Sequence, residues 1–547
     1  MAQVENDPFV QKILWDRLIT IADETVNALV RTSFSMNVRE SYDLSCVIFD
    51  EKARSISQGT FSVPTFTGTA PKTLEAMLQR FPIGTFVDGD VFVTNDAWLG
   101  TGHVYDINIC RPVFSRGRLL GYVMSITHLP DIGGAGMSSI TREAYEEGLI
   151  IPVQKISIAG IPNEGLLEII RANVRAADQV MGDITANMTC TEVGARSVRD
   201  FCDEYGLDAL SGVGDAIIGR TRAALEDGLA ALPVGRYENT IQVEGTEEDV
   251  TLHVTIERTT DGAVIDFAGS SPQLASSLNV PFCYTRAMTY YTMKCLFGAE
   301  LPNNEGTFSI LDVRAPEGSV LNAKWPVATG ARHTIGHYVF PLIMGALKSA
   351  VPDRVVTEMG MIDVFNVFGK HADGSRIASL FFMTGGYGSL LGYAGSAAVP
   401  GPSNMTSIST EVWEDLTSST IRYRRVLADS GGAGEFPGGP GQEIEFENST
   451  TNDMVIAFLG LRTRIAAKGI FGGGDGALRR FMINGQEVDG KGRYTIRPGE
   501  TVRIMAAGAG GLGNADNRSA DDVRRDIERG YLTPEHARRH YPQFHNG

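Results

Sequence analysis

The chain has 547 residues, of which 43% are hydrophobic and 21% charged, an ordinary composition for a globular protein and too long for one typical domain, so two or three packed lobes are expected. With 48 Lys and Arg against 65 Asp and Glu, the formal net charge is −17, which argues against nucleic acid as a partner. Residues 1–8 show neither a basic nor an apolar leader pattern, and Cys46, Cys110, Cys190, Cys202, Cys283 and Cys295 stand far apart with no C-x-x-C, so a cytoplasmic protein with reduced thiols is expected.

Val10, Ile13, Leu14, Leu18, Ile21, Val26, Leu29 and Val30 recur at helical spacing and predict a long amphipathic helix over 8–34. Strands are expected over 44–50 and 90–95, with a helix between them that is capped at Thr69, carries Pro71 in its first turn and ends at Phe81. Residues 202–232 read as helical with a break at Gly206. From 237 the pattern changes to period two over 237–243, 250–256 and 263–267, an antiparallel segment, and a boundary near 235 divides a lobe of 1–235 from a β-rich lobe of 236–547. Helices return over 284–298 and 333–350. Residues 377–410 carry no Asp, Glu, Lys or Arg, yet contain Gly385, Gly386, Gly388, Gly392, Gly395, Gly401, Pro400 and Pro402, so they read as a buried strand over 378–383 entering a glycine-rich loop and not as a membrane span. Short strands with glycine-rich turns follow, then a charged helix over 519–530. Strand and helix runs do not alternate as βαβ units, so the class is α+β, multi-lobed, with mixed and antiparallel sheets and flanking helices.

Two segments carry the chemistry. His103-Val104-Tyr105-Asp106 and His128-Leu129-Pro130-Asp131 each place an imidazole three residues before a carboxylate, at points where strands and loops meet. One such pair is common and ordinarily structural; two together suit Zn, Mn or Fe(II) better than Ca or Mg. His333 and His337, four apart, would share a helix face; satisfied core histidines are the ordinary reading, and His333 is carried as a substrate-side contact. Residues 485–492 match the P-loop spacing up to the last position, but Gly492 stands where Ser or Thr would hold Mg, a strand pattern follows, and Asn484-Gly485 signals a hairpin. The glycine clusters at 431–441, 472–476 and 508–513 could be phosphate nests, though such loops more often let backbones pack closely. There is no G-x-S-x-G or H-E-x-x-H, so serine-hydrolase and zincin chemistries lack support.

The chain resembles the hydantoinase B/oxoprolinase family. The resemblance rests on Arg39-Glu40-Ser41-Tyr42-Asp43 with the following strand, Asn95-Asp96 to Asp106, Thr127-His128 to Gly133-Gly134, Glu147-Gly148-Leu149, Asn173-Val174-Arg175 with Gly182-Asp183, Asn279-Val280-Pro281, Pro302-Asn303-Asn304-Glu305-Gly306 and the glycine clusters from Asp429 to Gly473. It departs at Pro64-Thr65-Phe66-Thr67-Gly68, where many members carry P-x-H-L-G, and at Gly508–Ala515, where they carry G-G-G-Y-G-D-P. The resemblance implies a divalent metal (Zn, Mn or Fe) on Asp43, His103, Asp106 and His128, with Asp131 as a supporting partner or a rival ligand. It implies a B-type subunit of an ATP-dependent cyclic amide hydrolase that opens a hydantoin, 5-oxoproline or lactam ring. Asp183 becomes a candidate general base or substrate contact, beside His333. A separate A-type subunit would bind ATP and Mg, in an α2β2 hetero-oligomer. The alternatives it leaves are a subunit of an acetone- or acetophenone-type carboxylase and a non-catalytic scaffold for the ATPase.

Overall fold

The computed structural model describes residues 7–545, so most of the 1–8 segment read above lies outside the described residues. Helix α1 (Pro8–Thr32) starts where Asp7 caps the Phe9 amide and Pro8 occupies the first turn, and it buries Leu14, Leu18, Ile21, Val26 and Leu29. After α2 (Met36–Arg39) come β1 (Leu44–Asp50), β2 (Ser55–Gln58), α3 (Phe66–Arg80), β3 (Val91–Thr94), β4 (Asp106–Ser115), β5 (Arg118–His128), β6 (Gln154–Ile158) and β7 (Ile161–Pro162). These strands form one antiparallel sheet of seven in the order β2-β1-β5-β4-β3-β6-β7. Helix α4 (Glu164–Asn173) precedes α5 (Ala177–Tyr205), which packs against α1 and on β4 and β5, and α6 (Ser211–Leu229) follows.

A second sheet, β11-β10-β9-β8, is built from β8 (Gly235–Val243), β9 (Val250–Arg258), β10 (Ala263–Asp266) and β11 (Leu311–Arg314); β10 and β11 run parallel and the rest antiparallel. Helix α7 (Phe282–Phe297) lies against α3, and α8 (Arg332–Gly336) leads into α9 (Val339–Leu347). The apolar core of the seven-stranded sheet runs on without a break into β8–β10, α7 and α9, across position 235.

The last part holds two antiparallel sheets. The first has the order β13-β12-β16-β19, from β12 (Ile362–Lys370), β13 (Arg376–Thr384), β16 (Met454–Phe458) and β19 (Arg493–Ile496); the second has the order β14-β15-β20-β17-β18, from β14 (Ser419–Val426), β15 (Gln442–Asn448), β17 (Arg480–Ile483), β18 (Gln486–Val488) and β20 (Thr501–Met505). Phe365, Phe381 and Phe446 gather around Trp413 of α10 (Thr410–Thr417), whose ring stacks on Phe381 at 4.0 Å, and Phe458 and Phe481 extend the cluster from Phe365. Helices α11 (Ala520–Glu528) and α12 (Pro534–His540) close the described chain, and the class is α+β as expected. Among the described residues no helix is long and apolar enough to cross a membrane; residues 377–410 enter as β13.

Several boundaries differ from the sequence reading. Helix α3 begins at Phe66, so Pro71 sits inside it and not in its first turn; the entry is made by tight three-residue turns from Val63, Pro64 and Thr65. Helix α5 begins 25 residues before 202; its buried face mixes Val180, Ile184, Cys190 and Val198 with Asp183, Asn187, Thr191 and Gly194, which blurs the apolar period. The break at Gly206 is real, with that residue left-handed at φ 62°. The helix expected over 333–350 divides at His337–Tyr338, where Pro341 has no N–H to return to His337.

The P-loop-like stretch folds as a hairpin, with Asn484 and Gly485 both at positive φ between paired Ile483 and Gln486. The other glycine clusters pack backbone on backbone. Gly432 donates to the Ala509 carbonyl, Gly511 to Gly474 and Gly439 to Tyr387. A Cβ on Gly508 would stand 1.7 Å from the Ser430 carbonyl oxygen, and one on Gly386 1.7 Å from that of Gly439.

Candidate metal centre

Strand register brings the site together. Asp106 opens β4 and His128 closes β5, and the two are directly opposite in the ladder. Asp43 lies just before β1, where its carbonyl accepts the His128 amide at 3.2 Å. His103 projects from the turn before β4, which reverses at Gly102 with φ 96°. A side chain at that glycine would strike Arg332, since its Cβ would lie 2.5 Å from Cδ of the arginine.

One ligand atom each from His103, Asp106 and His128 lies within 4.8 Å of the other two, and all three residues are buried. His103 Nε2 stands 2.9 Å from Asp106 Oδ2 without hydrogen-bond geometry. His103 Nε2, His128 Nε2 and Asp106 Oδ1 are buried with no hydrogen-bond partner. The three converging residues each carry an orphan atom, two imidazole nitrogens and one carboxylate oxygen, a donor set that fits a divalent cation of the Zn, Mn or Fe(II) kind. Asp43 lines the same cavity but stands outside this set of three.

The surroundings fix the ligand atoms. His103 Nδ1 is 3.1 Å from the Gly330 carbonyl, which can only accept, so Nδ1 carries the proton and Nε2 keeps its lone pair. Gly330 is itself held by Glu147, whose Oε1 accepts the Gly330 amide at 2.5 Å while both oxygens accept from Thr329. On the other imidazole, the Asn37 amide nitrogen lies 3.3 Å from His128 Nδ1, and Asn37 Oδ1 is buried without a partner. A half-turn of that amide presents Oδ1 to Nδ1–H, the orientation a ligating Nε2 requires.

Arg332, the residue before His333, is the cationic partner of the site. Its Nη2 donates to Asp106 Oδ2 at 2.8 Å, its Nε donates to the Thr101 carbonyl, and its guanidinium lies over the Tyr284 ring at 4.1 Å. Burial raises Asp106, but the facing His103 and Arg332 outweigh it and hold the carboxyl below its ordinary range. Burial, with Arg332 adding to it, lowers His103; burial and the His103 ring lower His128 to about 3, so both imidazoles are neutral. Burial and the Asp106 charge push Asp43 up to about 8.

His333 and His337 line the same cavity, 5.8 Å apart between ring centres, and burial lowers both. Asp183 does not line it. Its Oδ1 accepts the Phe34 and Ser35 amides at 2.7 and 3.0 Å, just ahead of α2, which carries Asn37. Asp131 is no rival ligand either: Arg175 Nη1 binds it at 2.8 Å, and the Arg175 and Gly133 amides complete its shell.

The model of the Hydantoinase B/oxoprolinase family matches residues 7–515. The chain belongs to that family. It is 26% identical to the putative B-type subunit of a D-/L-hydantoinase from Pseudomonas sp. (strain NS671), over 97% of this chain and 94% of that protein. It is also 26% identical to the 5-oxoprolinase PfmaA of Pestalotiopsis fici over 96% of this chain, but spans only 43% of that longer protein. Among solved structures it is similar to the ATP-dependent caprolactamase of Pseudomonas jessenii, with TM-score 0.88 and 25% identity over 97% of this chain and 95% of that one. A nucleotide-free acetone carboxylase shares the fold at TM-score 0.89 and 19% identity, over 98% of this chain and 80% of that one.

Proposed function

We propose that this hydantoinase B/oxoprolinase family chain is the metal-binding subunit of an ATP-dependent cyclic amide hydrolase, acting with a separate A-type subunit that binds ATP and Mg. The observation that carries it is the set of three unpartnered buried atoms on His103, Asp106 and His128, facing a cavity that Asp43, His333 and His337 also line. Asp43 is the fourth ligand in this reading. An ion held there would supply an acidified water, its pKa lowered from ~15.7 towards ~7, or polarise the amide carbonyl. Glu147, through Gly330, and Asn37 hold the two ring orientations that leave Nε2 free. Arg332 keeps Asp106 ionised, and neutral His333 is placed to hydrogen-bond a ring substituent. The names of the hydantoinase and caprolactamase relatives support cyclic amides and a partner chain, and the hairpin at Asn484-Gly485 supports nucleotide binding elsewhere.

Co-expression with an A-type subunit tests the reading. Ring opening of a hydantoin or lactam should require ATP, proceed in bicarbonate-free buffer and take up oxygen from labelled water. Turnover only with a ketone and bicarbonate, with labelled carbon in the product, would establish the carboxylase alternative instead. Full activity from metal-free protein would remove the metal from the mechanism.

A further inference from the structure

A second cavity stands back to back with the metal cavity. Its volume is about 280 Å³, far above the ~10–15 Å³ that admits one water, so it has room for a small molecule. The segments 63–68 and 403–405 form a partition between the two. Val63, Thr65 and Phe66 line the metal cavity, whereas Pro64, Thr67 and Gly68 line the second one. Ser403 and Met405 likewise line the first and Asn404 the second, so a single thickness of chain separates them.

Helix α7 supplies the second cavity with its charge. Tyr290 and Lys294 stand one turn apart on that helix, and the Tyr290 ring stacks on Phe308 at 4.6 Å. Lys294 Nζ makes one long hydrogen bond, to the Ala299 carbonyl at 3.4 Å, and among the described residues it forms no ion pair. No Asp or Glu among the described residues lines this cavity, and Glu300 acts on Lys294 only from outside the lining. Burial lowers the ammonium below its ordinary range, the mark of a cation short of a counter-ion. Opposite it, Asn303 Nδ2 donates to Gln58 Oε1 at 2.8 Å, which leaves Asn303 Oδ1 to accept, and the Asn404 side chain makes no hydrogen bond among the described residues. One uncompensated cation facing neutral amides fits a molecule with a carboxylate at one end and an uncharged N–H group at the other.

Opening of a hydantoin makes such a molecule. Water adds across a ring C–N bond, which breaks; the carbonyl carbon becomes a carboxylate, the nitrogen stays in a neutral ureido group, and one proton is released. Resting on the cyclic amidase reading, we infer that the second cavity is a product site, which binds a small ureido carboxylate with its carboxylate on Lys294 and its ureido group against Asn303 and Asn404.

A reporter for the test is already in place. Cys295 lines this cavity and not the metal cavity, and of the six cysteines it alone is exposed. Its alkylation by iodoacetamide, followed by mass spectrometry on the full chain at constant ionic strength, therefore reads occupancy here and ignores a carboxylate bound to an ion next door. N-carbamoylglycine should slow the alkylation, and hydantoin, the uncharged ring it comes from, should not. Lys294→Met should raise the N-carbamoylglycine concentration needed by about ten-fold or more, because a charge-assisted hydrogen bond is lost, whereas Lys294→Arg should keep the protection. Protection that is absent, that hydantoin or inorganic phosphate gives equally, or that is unchanged in folded Lys294→Met overturns the inference. The two readings fail separately. Ring opening by the complex with no protection of Cys295 keeps the amidase and removes this site, whereas Lys294-dependent protection in a complex that turns over only a ketone with bicarbonate keeps a carboxylate site and removes the amidase.

Discussion

The end of the seven-stranded sheet and the glycine-rich layer of the C-terminal half are both buried, and they meet the demand that buried polar groups find partners in different ways. Around Gly386, Gly439 and Gly508 the groups are main-chain, and they satisfy one another because no side chain intervenes. Around Asp106 the groups are side chains, and several of their atoms, among them His103 Nε2, His128 Nε2 and Asp106 Oδ1, are left without partners. The first region is complete as it stands; the second is complete only with something added. Stability should therefore concentrate in the first and binding in the second.

Substitutions can break that contrast. The largest effect is expected from Gly508→Ala, whose new methyl would stand 1.7 Å from a backbone oxygen that cannot swing aside. Soluble folded protein should be lost, a change beyond the ~4–5 kcal/mol that marks exceptional substitutions. A Gly508→Ala protein with an unchanged melting curve would show that the close approach is dispensable. Next in size is Asp106→Ala, which strands the buried Arg332 guanidinium. Urea unfolding should report a loss of about 3–5 kcal/mol, most of it regained in the double variant with Arg332→Met.

His128→Ala should cost the fold less than Asp106→Ala, about 2–3 kcal/mol, because it leaves a cavity where a buried ring packs on Tyr105 and meets Asn37 but strands no charge. Metal affinity by competition with a chromophoric chelator should fall by more than the ~10 to 100-fold typical of residues that only support a ligand. A variant that keeps its metal would place the site elsewhere. The smallest effect sharpens the contrast from outside both regions. Burial pushes Glu244 up, but the Ile465 and Arg464 amides, the Thr463 hydroxyl and Lys491 outweigh it, so its carboxyl lies below the ordinary 4.5. A depressed carboxyl contributes stability that is fully present above its unfolded value and is lost as pH falls through the folded one. Glu244→Gln should cost about 1 kcal/mol at pH 7 and nothing once both proteins are measured below the folded value.

The candidate ligand residues were legible because they sit at strand ends in short, recognisable segments, and His103, Asp106 and His128 do converge. The β8–β10 meander and the Asn484-Gly485 turn were legible from period and turn chemistry alone. What the sequence hid was everything that holds those ligands. The Arg332 guanidinium, the Glu147–Gly330 relay and Asn37 act across long sequence separations, and nothing local marks them. Helix α5 was half hidden because Asp183, Asn187 and Thr191 share its buried face with Val180, Ile184, Cys190 and Val198 and interrupt the apolar stripe. Asp183, expected as a chemical group, accepts the two amides that precede α2, a contact no local pattern signals.

Asp106 and Arg332 are 226 residues apart in the chain. Synthesis delivers the carboxylate and both imidazoles long before the guanidinium and the strands that wall them in. An ion captured at that early stage meets an open site, whereas one leaving the finished protein must wait for packed chain to separate. Exchange of such an ion should therefore follow the rate at which the later segments open, and be nearly indifferent to which metal is leaving.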